Sequence, residues 1–453
     1  MRNLDGKHIV VAGAARSGVA AALLLKRKGA VPFVSDSGEI NPDSIEKLKT
    51  EGISFEQNQH SEKALNGEFL VLSPGVPSTS KIAEFYRIEG KDIYSEIELA
   101  SWFCSSPIIA VTGSNGKTSV ASWLTHMWRQ SGQNPILAGN IGTAFSEQVE
   151  HTMPEETAIL EVSSFQLDHI DTFHPKVSLI LNITPDHLDR YDNDFNKYAA
   201  SKLNITKNQT ASDWFIYNND DPLLSDHALK LATRENAPQM LAFSSSSEVV
   251  NGAFVRNGNL ILKINNKEEE LMQIGEIGLL GQHNLQNGMA TALAARASEI
   301  KNEFISESLK TFEGVTHRLE HVRTYKGVRY VNDSKATNVN AVWFALRSFN
   351  MPIVLILGGR DKGNDYTQLE KELRDKVHTV VAIGEAREKI KQQIGNSVPH
   401  LVEAESMKDA VKSAKKVAKR GEVVLLSPAC SSFDMFDNYE DRGNQFKQAV
   451  LDL

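Results

Sequence analysis

At 453 residues the chain is too long for a single core, and its 23% charged and 41% hydrophobic residues are those of a globular protein of roughly two to four domains. A net charge of -8 argues against nucleic-acid binding, which normally leaves a basic footprint, and the two cysteines, Cys104 and Cys430, lie too far apart in sequence to read as a disulfide framework or a cysteine zinc site. The first residues enter a strand at once, with no signal-peptide or transmembrane run, so the expected compartment is the cytoplasm, with no membrane partner.

Lys7 to Asp36 predicts a β-α-β unit: the strand H-I-V-V-A, the turn G-A-A-R-S-G, an alanine- and leucine-rich helix, and the strand V-P-F-V-S-D. Such a unit places a ligand at its first turn, with an acid at the end of the second strand. Gly13 and Gly18 match the outer glycines of G-x-G-x-x-G, but Ala15 stands where a middle glycine would let the backbone approach a pyrophosphate. That counts against an ordinary dinucleotide site and leaves a ligand-free packing turn as the alternative. F-L-V-L-S-P-G-V-P, from Phe69 to Pro77, reads either as a buried parallel strand opening at a ligand edge or as a plain turn. A first domain boundary is expected near Glu96.

The most informative stretch is I-I-A-V-T-G-S-N-G-K-T, Ile108 to Thr118, a β-branched run entering a glycine loop and then a helix. Backbone N–H groups and a helix N-terminus hold phosphate in this arrangement. Lys117 is the point charge for the outer phosphates and the Thr118 hydroxyl a ligand for magnesium. The spacing departs from G-x-x-x-x-G-K-[ST], because Val111 holds the place of the first glycine. Downstream, N-P-I-L-A-G-N-I-G presents Asn140, and T-A-I-L-E-V carries Glu161 at the end of a short apolar strand, where NTPases hold magnesium. The strand V-S-L-I-L-N-I opens into T-P-D-H-L-D-R-Y with His187 and Asp189, and Lys202 follows on a helix-like segment. Ala253 to Ile274 predicts a hairpin about Asn257-Gly258, and a helix is expected from His283, placing Asn284 and Asn287 on one face.

A second boundary is expected near Gly314. Beyond it, strands at Arg329, Pro352, Thr379 and Val423 alternate with helical segments, which favours a parallel sheet. Their polar loops, N-D-S-K-A-T-N, G-G-R-D-K-G and S-P-A-C-S-S-F-D, are expected to gather at one sheet edge.

Taken together, T-G-S-N-G-K-T, L-E-V-S-S-F-Q-L, N-I-T-P-D-H-L-D-R-Y, G-Q-H-N-L-Q-N, H-R-L-E, N-D-S-K-A-T-N, G-G-R-D-K-G and S-P-A-C-S-S-F-D…R-G-N-Q-F, in this order, make the chain resemble the Mur ligase family of ATP-dependent amide-forming enzymes over essentially its whole length. The family's shortened phosphate loop accounts for the spacing. The resemblance implies an α/β protein of three domains: a Rossmann-like domain at 1–96 for a UDP-linked substrate, a central P-loop ATPase domain with a mostly parallel sheet at 97–314, and a Rossmann-like domain at 315–453 for an amino acid. It implies ATP and Mg2+, with UDP-N-acetylmuramoyl-L-alanine and D-glutamate as substrates. A monomer is expected, although no motif speaks to oligomeric state. ATP would meet Gly113, Ser114, Asn115, Gly116, Lys117, Thr118, Ser119, Asn284, Asn287, Arg318, Asp333 and Lys335. The catalytic and metal-holding set would be Lys117, Thr118, Glu161, His187 and Lys202, the last at the family's carbamylated lysine. The UDP substrate would meet Ala15, Arg16, Asp36, Ser37, Ser73, Gly75 and Asn140, with Ala15 departing from the usual glycine. D-glutamate would meet His317, Thr337, Lys362, Ser432, Phe433 and Tyr439, where the family has a phenylalanine at the last.

The competing readings are a sister ligase adding L-alanine or a diamino acid, a folate-polyglutamylating enzyme, a non-catalytic nucleotide switch and an NAD-binding oxidoreductase. The last accounts only for G-A-A-R-S-G and Asp36. The folate class lacks such an N-terminal unit, and a switch leaves the C-terminal loops without a use.

Overall fold

Residues 2–279 and 281–453, described by the computed structural model, build three α/β domains, each around its own sheet. The strands β1 (His8–Ala12), β2 (Val31–Ser35), β3 (Ser54–Glu56), β4 (Leu70–Leu72) and β5 (Ile93–Ser95) pair in parallel in the order 3-2-1-4-5. Ile9, Val10, Val11 and Ala12 are fully buried, as a strand covered on both faces requires. The strand order reverses at β1, so the turn after β1 and the loop after β4 open on one crevice.

In the second sheet, β6 (Ile108–Thr112), β7 (Ile136–Gly139), β8 (Ala158–Glu161), β9 (Val177–Ile180), β10 (Trp214–Asn218), β11 (Gln239–Ser244), β12 (Gly252–Arg256), β13 (Asn259–Ile264) and β14 (Lys267–Gln273) take the order 14-13-12-11-10-9-6-8-7. It is parallel from β7 through β12 and antiparallel at β12–β13–β14. The hairpin turn falls at Asn257 and Gly258, both at positive φ, as that dipeptide predicts. A second hairpin turns at Asn265 and Asn266, also at positive φ. β6 lies between β9 and β8, so the phosphate loop emerges beside the ends of both.

The third sheet holds β15 (Glu320–Tyr325), β16 (Val328–Asn332), β17 (Ile353–Gly358), β18 (Val377–Ile383), β19 (His400–Glu403) and β20 (Val423–Leu426) in the order 15-16-20-17-18-19. The four strands read from the sequence are present and parallel. Two more were not legible: β15, which is antiparallel to β16, and β19 at the opposite edge. Both are edge strands with no fully buried residue, so neither carries an apolar run. Adjacent placement of β16, β20 and β17 brings their three polar loops side by side.

Packing divides the chain into two compact units, Met1–Ile277 with Gln286–Thr311, and Gly278–Leu285 with Phe312–Leu453. In the first, one buried cluster runs from Leu4 to Leu231 and joins the N-terminal and central sheets. Glu98, fully buried, reinforces that join. Its carboxylate accepts the indole N–H of Trp102 (2.6 Å), the backbone N–H groups of Asp171, Thr172 and Phe173 (3.0, 2.9 and 2.7 Å) and the Thr172 hydroxyl (2.6 Å). In the second unit, separate apolar clusters cover the two faces of the sheet. No helix among the described residues is long and apolar enough to cross a membrane.

Candidate active site

The phosphate loop is shaped by two glycines that no other residue could replace cheaply. Gly116 caps the helix Lys117–Gln130 at φ 89°, and a Cβ there would stand 2.6 Å from Asn287 Oδ1. Gly113, at φ 149°, lies against Leu181 and Asn182. The loop is pinned from the next strand: Ser114 N–H donates to the Asn182 carbonyl, Asn115 N–H to Asn182 Oδ1 (2.9 Å), and Ser114 Oγ to the Thr184 carbonyl (2.7 Å). The helix N-terminus carries no capping side chain and no acidic residue in its first turn, which keeps its positive dipole end available to an anion. Thr118 and Ser119 are buried in that first turn.

Lys117 folds back over this loop, donating to the carbonyls of Gly113 (2.8 Å) and Ser114 (2.9 Å). Lys202, on the helix Phe195–Leu203, donates to the same Gly113 carbonyl at 2.9 Å. Two amines thus converge on one oxygen. Burial, with Lys117 as neighbour, holds the Lys202 amine well below the ordinary lysine range, against the pull of Asp186, Asp168 and Glu161. One turn earlier on the same helix, Tyr198 lies under the Lys202 Nζ (4.8 Å to the ring) and its hydroxyl meets Ser114 Oγ at 2.9 Å. Tyr198 was not picked out from the sequence, although its spacing of four from Lys202 places both on one helix face.

Glu161, at the buried end of β8, accepts from Thr118 Oγ1 at 2.8 Å and from Asn140 Nδ2 at 3.0 Å. Three residues chosen from separate motifs therefore meet at one carboxylate. His187 sits apart from them on its own loop, in left-handed backbone (φ 51°), with its ring edge-on to Phe165 (5.3 Å) and its side chain 58% exposed. Among the described residues, no group of three or more His, Cys, Asp and Glu gathers into a metal-binding cluster. The donor set nonetheless suits a hard cation. Thr118 and Glu161 present two oxygens side by side, and a hard divalent cation such as Mg2+ commonly takes the rest of its shell from phosphate oxygens and water rather than from an all-protein cage.

A cleft of about 290 Å³ on the same unit is lined by Ala15, Arg16, Ser17, Ser73, Pro74, Gly75, Gly139 and Asn140. It unites five of the seven positions expected to meet the UDP substrate. Asp36 stands just behind: it accepts the Ala14 N–H at 2.7 Å and the Gly38 N–H at 2.9 Å, and so fixes the turn whose helix, Arg16–Arg27, begins at the cleft. Ser37 is exposed beside it. Ser73 Oγ donates to the Gly13 carbonyl at 3.0 Å. Arg190, not singled out earlier, donates to the carbonyls of Pro74 (2.8 Å) and Gly75 (2.6 Å) while stacking on Phe165 (4.3 Å). It thereby ties the cleft's wall to the His187 loop.

On the second unit, H-R-L-E is held in left-handed backbone at His317 (φ 65°) and Leu319 (φ 44°), the latter a costly conformation for a bulky side chain. Asp333 supports it, accepting the Leu319 N–H (3.2 Å) and the Ser427 hydroxyl (2.7 Å). Burial lifts the Asp333 carboxyl to about 6, opposed by Arg318. Arg318 Nε is buried without a hydrogen-bond partner among the described residues. His317 Nδ1 meets Asn332 Nδ2 (2.9 Å), and its ring lies edge-on to Tyr439. Lys335 extends over the Tyr439 ring at 5.6 Å, and its N–H donates to the His317 carbonyl. Ser432 is buried and Phe433 is 61% exposed beside it, while Lys362 is exposed and Thr337 half-buried on the neighbouring loops. Asn284 and Asn287 are both buried on the helix Gln282–Ala297, Asn284 in this unit and Asn287 in the first, beside Gly116.

Arg442 is the residue sequence reasoning missed most completely. Fully buried, it donates to Ser334 Oγ (2.9 Å), the Ser334 carbonyl (2.8 Å) and the Cys430 carbonyl (3.0 Å), joining the loops after β16 and β20. Nothing in R-G-N-Q-F signals that an arginine there is buried. The adjacent Gly443 is a partial clue, since a Cβ on it would stand 2.1 Å from His317 Nδ1.

A glycine phosphate loop, a carboxylate on its threonine and a separate loop-lined α/β unit define a nucleotide-dependent group-transfer enzyme. Residues 9–82 match the MurD N-terminal domain, 111–295 the Mur ligase middle domain and 317–430 the glutamate ligase domain of Mur ligases. The chain belongs to the Mur ligase family. Its full-length relatives include the UDP-N-acetylmuramoylalanine–D-glutamate ligases of Salinibacter ruber, 49% identical over 98% of this chain and 97% of that one, and of Chloroherpeton thalassium, 46% identical over 99% of each. The fold also matches solved structures of a pseudomurein peptide ligase type C from Methanothermus fervidus (TM-score 0.60, 18% identity, 99% and 100% of the two chains) and a UDP-N-acetylmuramate–alanine ligase from Thermotoga maritima (0.59, 17%, 98% and 99%).

Proposed function

We propose that the protein is an ATP-dependent ligase that joins D-glutamate to UDP-N-acetylmuramoyl-L-alanine in peptidoglycan precursor synthesis. The observation that carries this is 49% identity, across 98% of the chain, to a relative named for that reaction. Residues 1–96 take the UDP substrate, 97–314 take ATP, and 315–453 take the amino acid.

The alanyl carboxylate attacks the γ-phosphorus of ATP, giving an acyl phosphate and ADP. The amine of D-glutamate then attacks the acyl carbon, and phosphate leaves with the C–O electron pair. Activation is needed because an unmodified carboxylate has no adequate leaving group. The protein's part is positioning and charge compensation. Lys117, held over the loop by the Gly113 and Ser114 carbonyls, offsets the repulsion between carboxylate and triphosphate. The loop N–H groups and the helix N-terminus orient the phosphates, with Gly113 to Ser119 as the contact segment. Thr118 and Glu161 would hold Mg2+, with His187 and Lys202 as further contributors from their own segments, and the bound ion would supply electrophilic activation of the γ-phosphate.

A neutral Lys202 amine can add carbon dioxide, releasing a proton and becoming a carbamate. That puts an anion suited to a divalent metal where a second ammonium would crowd Lys117. Asn284, Asn287, Arg318, Asp333 and Lys335 serve the nucleotide. Ala15, Arg16, Asp36, Ser37, Ser73, Gly75 and Asn140 serve the UDP-sugar, with cleft and turn supporting that assignment. His317, Thr337, Lys362, Ser432, Phe433 and Tyr439 serve D-glutamate, whose carboxylates call for an ammonium and hydroxyls. The protein acts as a cytoplasmic monomer.

Phosphate release from ATP, measured with UDP-N-acetylmuramoyl-L-alanine and D-glutamate, L-glutamate, L-alanine or L-lysine in turn, tests the reading. Turnover should require D-glutamate and should fall by about two orders of magnitude or more in Lys202→Met. Strict dependence on another amino acid rejects the specificity. Full activity in Lys202→Met removes that residue from the mechanism.

A further inference from the structure

The loop that presents Lys362 is bound from beneath by a set of residues that the reaction scheme does not use. Gly358 ends β17 at φ 124° and Gly359 follows it at φ 138°, where a Cβ would stand 2.4 Å from the Ser431 carbonyl. The two chains therefore run in close register: Arg360 N–H donates to the Ser431 carbonyl at 3.0 Å, and Ser431 Oγ returns to the Arg360 carbonyl at 3.3 Å. Lys362 follows two residues on from Arg360, and Ser432 and Phe433 follow directly on Ser431.

Asp361 lies between the register-fixing residue and Lys362, and its carboxylate faces inward. One oxygen pairs with Lys389 Nζ at 2.8 Å and accepts the Gly363 N–H at 3.2 Å. The other accepts the Asn364 N–H and the Tyr366 hydroxyl, each at 3.2 Å. Although part-burial opposes it, Lys389 and these N–H donors hold the Asp361 carboxyl below the usual carboxylate range, as expected for an ion lodged in a turn. The turn is then tied to the neighbouring loop. Asn364 Nδ2 donates to the Ala429 carbonyl at 3.0 Å, and the Tyr366 hydroxyl meets Cys430 Sγ at 2.9 Å. Ala429 is itself in left-handed backbone (φ 59°), a conformation that needs outside support.

We infer that the Asp361–Lys389 pair, acting through Asn364 and Tyr366, is a clamp that sets Lys362 against the Ser432–Phe433 loop, which makes Asp361 a positioning residue for capture of the amino-acid substrate. The clamp rests on the reading of this edge as the D-glutamate site. An exposed lysine on a glycine-flanked turn has many rotamers and backbone states, and a ligand that must order them binds more weakly. Fixing the turn at its neighbouring carboxylate removes that cost without touching the substrate.

The test is steady-state phosphate release by the full-length enzyme with ATP and UDP-N-acetylmuramoyl-L-alanine saturating and D-glutamate varied. Asp361→Asn should raise the D-glutamate KM about tenfold, with a smaller change in kcat and with the KM values of ATP and the UDP substrate within about twofold of wild type. Lys389→Met should move the D-glutamate KM in the same direction by a smaller factor. The double variant should be no worse than Asp361→Asn, since both act through one contact. Tyr366→Phe keeps the ring packing and loses only the hydroxyl; it should reproduce the split in KM and serves if Asp361→Asn does not fold. An unchanged D-glutamate KM in these folded variants overturns the clamp, and so does an equal rise in the KM of ATP, which marks general loosening. If the wild type turns out to use a different amine, the D-glutamate reading fails by itself. The clamp is then judged on the KM of that amine.

Discussion

Burial and solvent exclusion at Asp333 run against its charge. The unfolded carboxyl has a pKa near 3.8, and burial lifts the folded value to about 6, with Arg318, the Ser427 hydroxyl and the Leu319 N–H pulling the other way. Between those values the native protein keeps a proton that the unfolded chain has lost. Stability from this group is therefore fully present below about pH 4 and declines as pH rises through 6, a cost of roughly 2–3 kcal/mol at neutrality. Asp333→Asn keeps an acceptor for the Leu319 N–H and carries no charge. Urea unfolding should show it to be more stable than wild type at pH 7 by up to that amount, with the gap closing toward pH 4; a variant less stable at pH 7 would contradict the burial argument. N-D-S-K marks Asp333 by type, but no residue spacing shows that both its oxygens are engaged inside the protein. The same holds for Asp36, whose two acceptances from Ala14 and Gly38 make it a turn-former as well as a candidate substrate contact.

Elements were legible where their signal is local. The β-branched runs became β1, β6, β8 and β16, the Asn257-Gly258 turn became a hairpin, and the segment after Lys117 became a helix. β15 and β19 were not, because edge strands with one wet side lack an apolar run. The helix Arg16–Arg27 illustrates how closely an element is seated. A Cβ on Gly18 would lie 1.8 Å from the Gly13 carbonyl and 2.5 Å from Ser73 Oγ. Gly18→Ala should thus push the helix off the turn, cost about 2–4 kcal/mol in chemical unfolding and raise the KM for the UDP substrate. A Gly18→Ala protein with wild-type stability and KM would show that this turn tolerates displacement.

At the scale of the molecule, packing sets the N-terminal and central sheets in one compact unit and the C-terminal sheet in another. Glu98, with five donors and no solvent, is part of what makes the first unit single. Glu98→Gln turns one acceptor into a donor among N–H groups, so the thermal transition of that unit should fall, by about 2–4 kcal/mol in unfolding free energy, while that of the C-terminal unit stays in place. Calorimetry showing both transitions moving together would reject the division. The sequence by itself determined the chemistry on offer: a shortened phosphate loop with Lys117 and Thr118, an acid closing an apolar strand, polar loops after each C-terminal strand, and the family these motifs make in order. Those are local properties, carried by residue type and short-range spacing. Tertiary structure alone decided that Thr118, Asn140 and Glu161 meet, that Lys117 and Lys202 share the Gly113 carbonyl, and that Arg442 and Asp361 lie beneath the loops. Strand order and burial depend on the whole chain at once, and no window of sequence contains them.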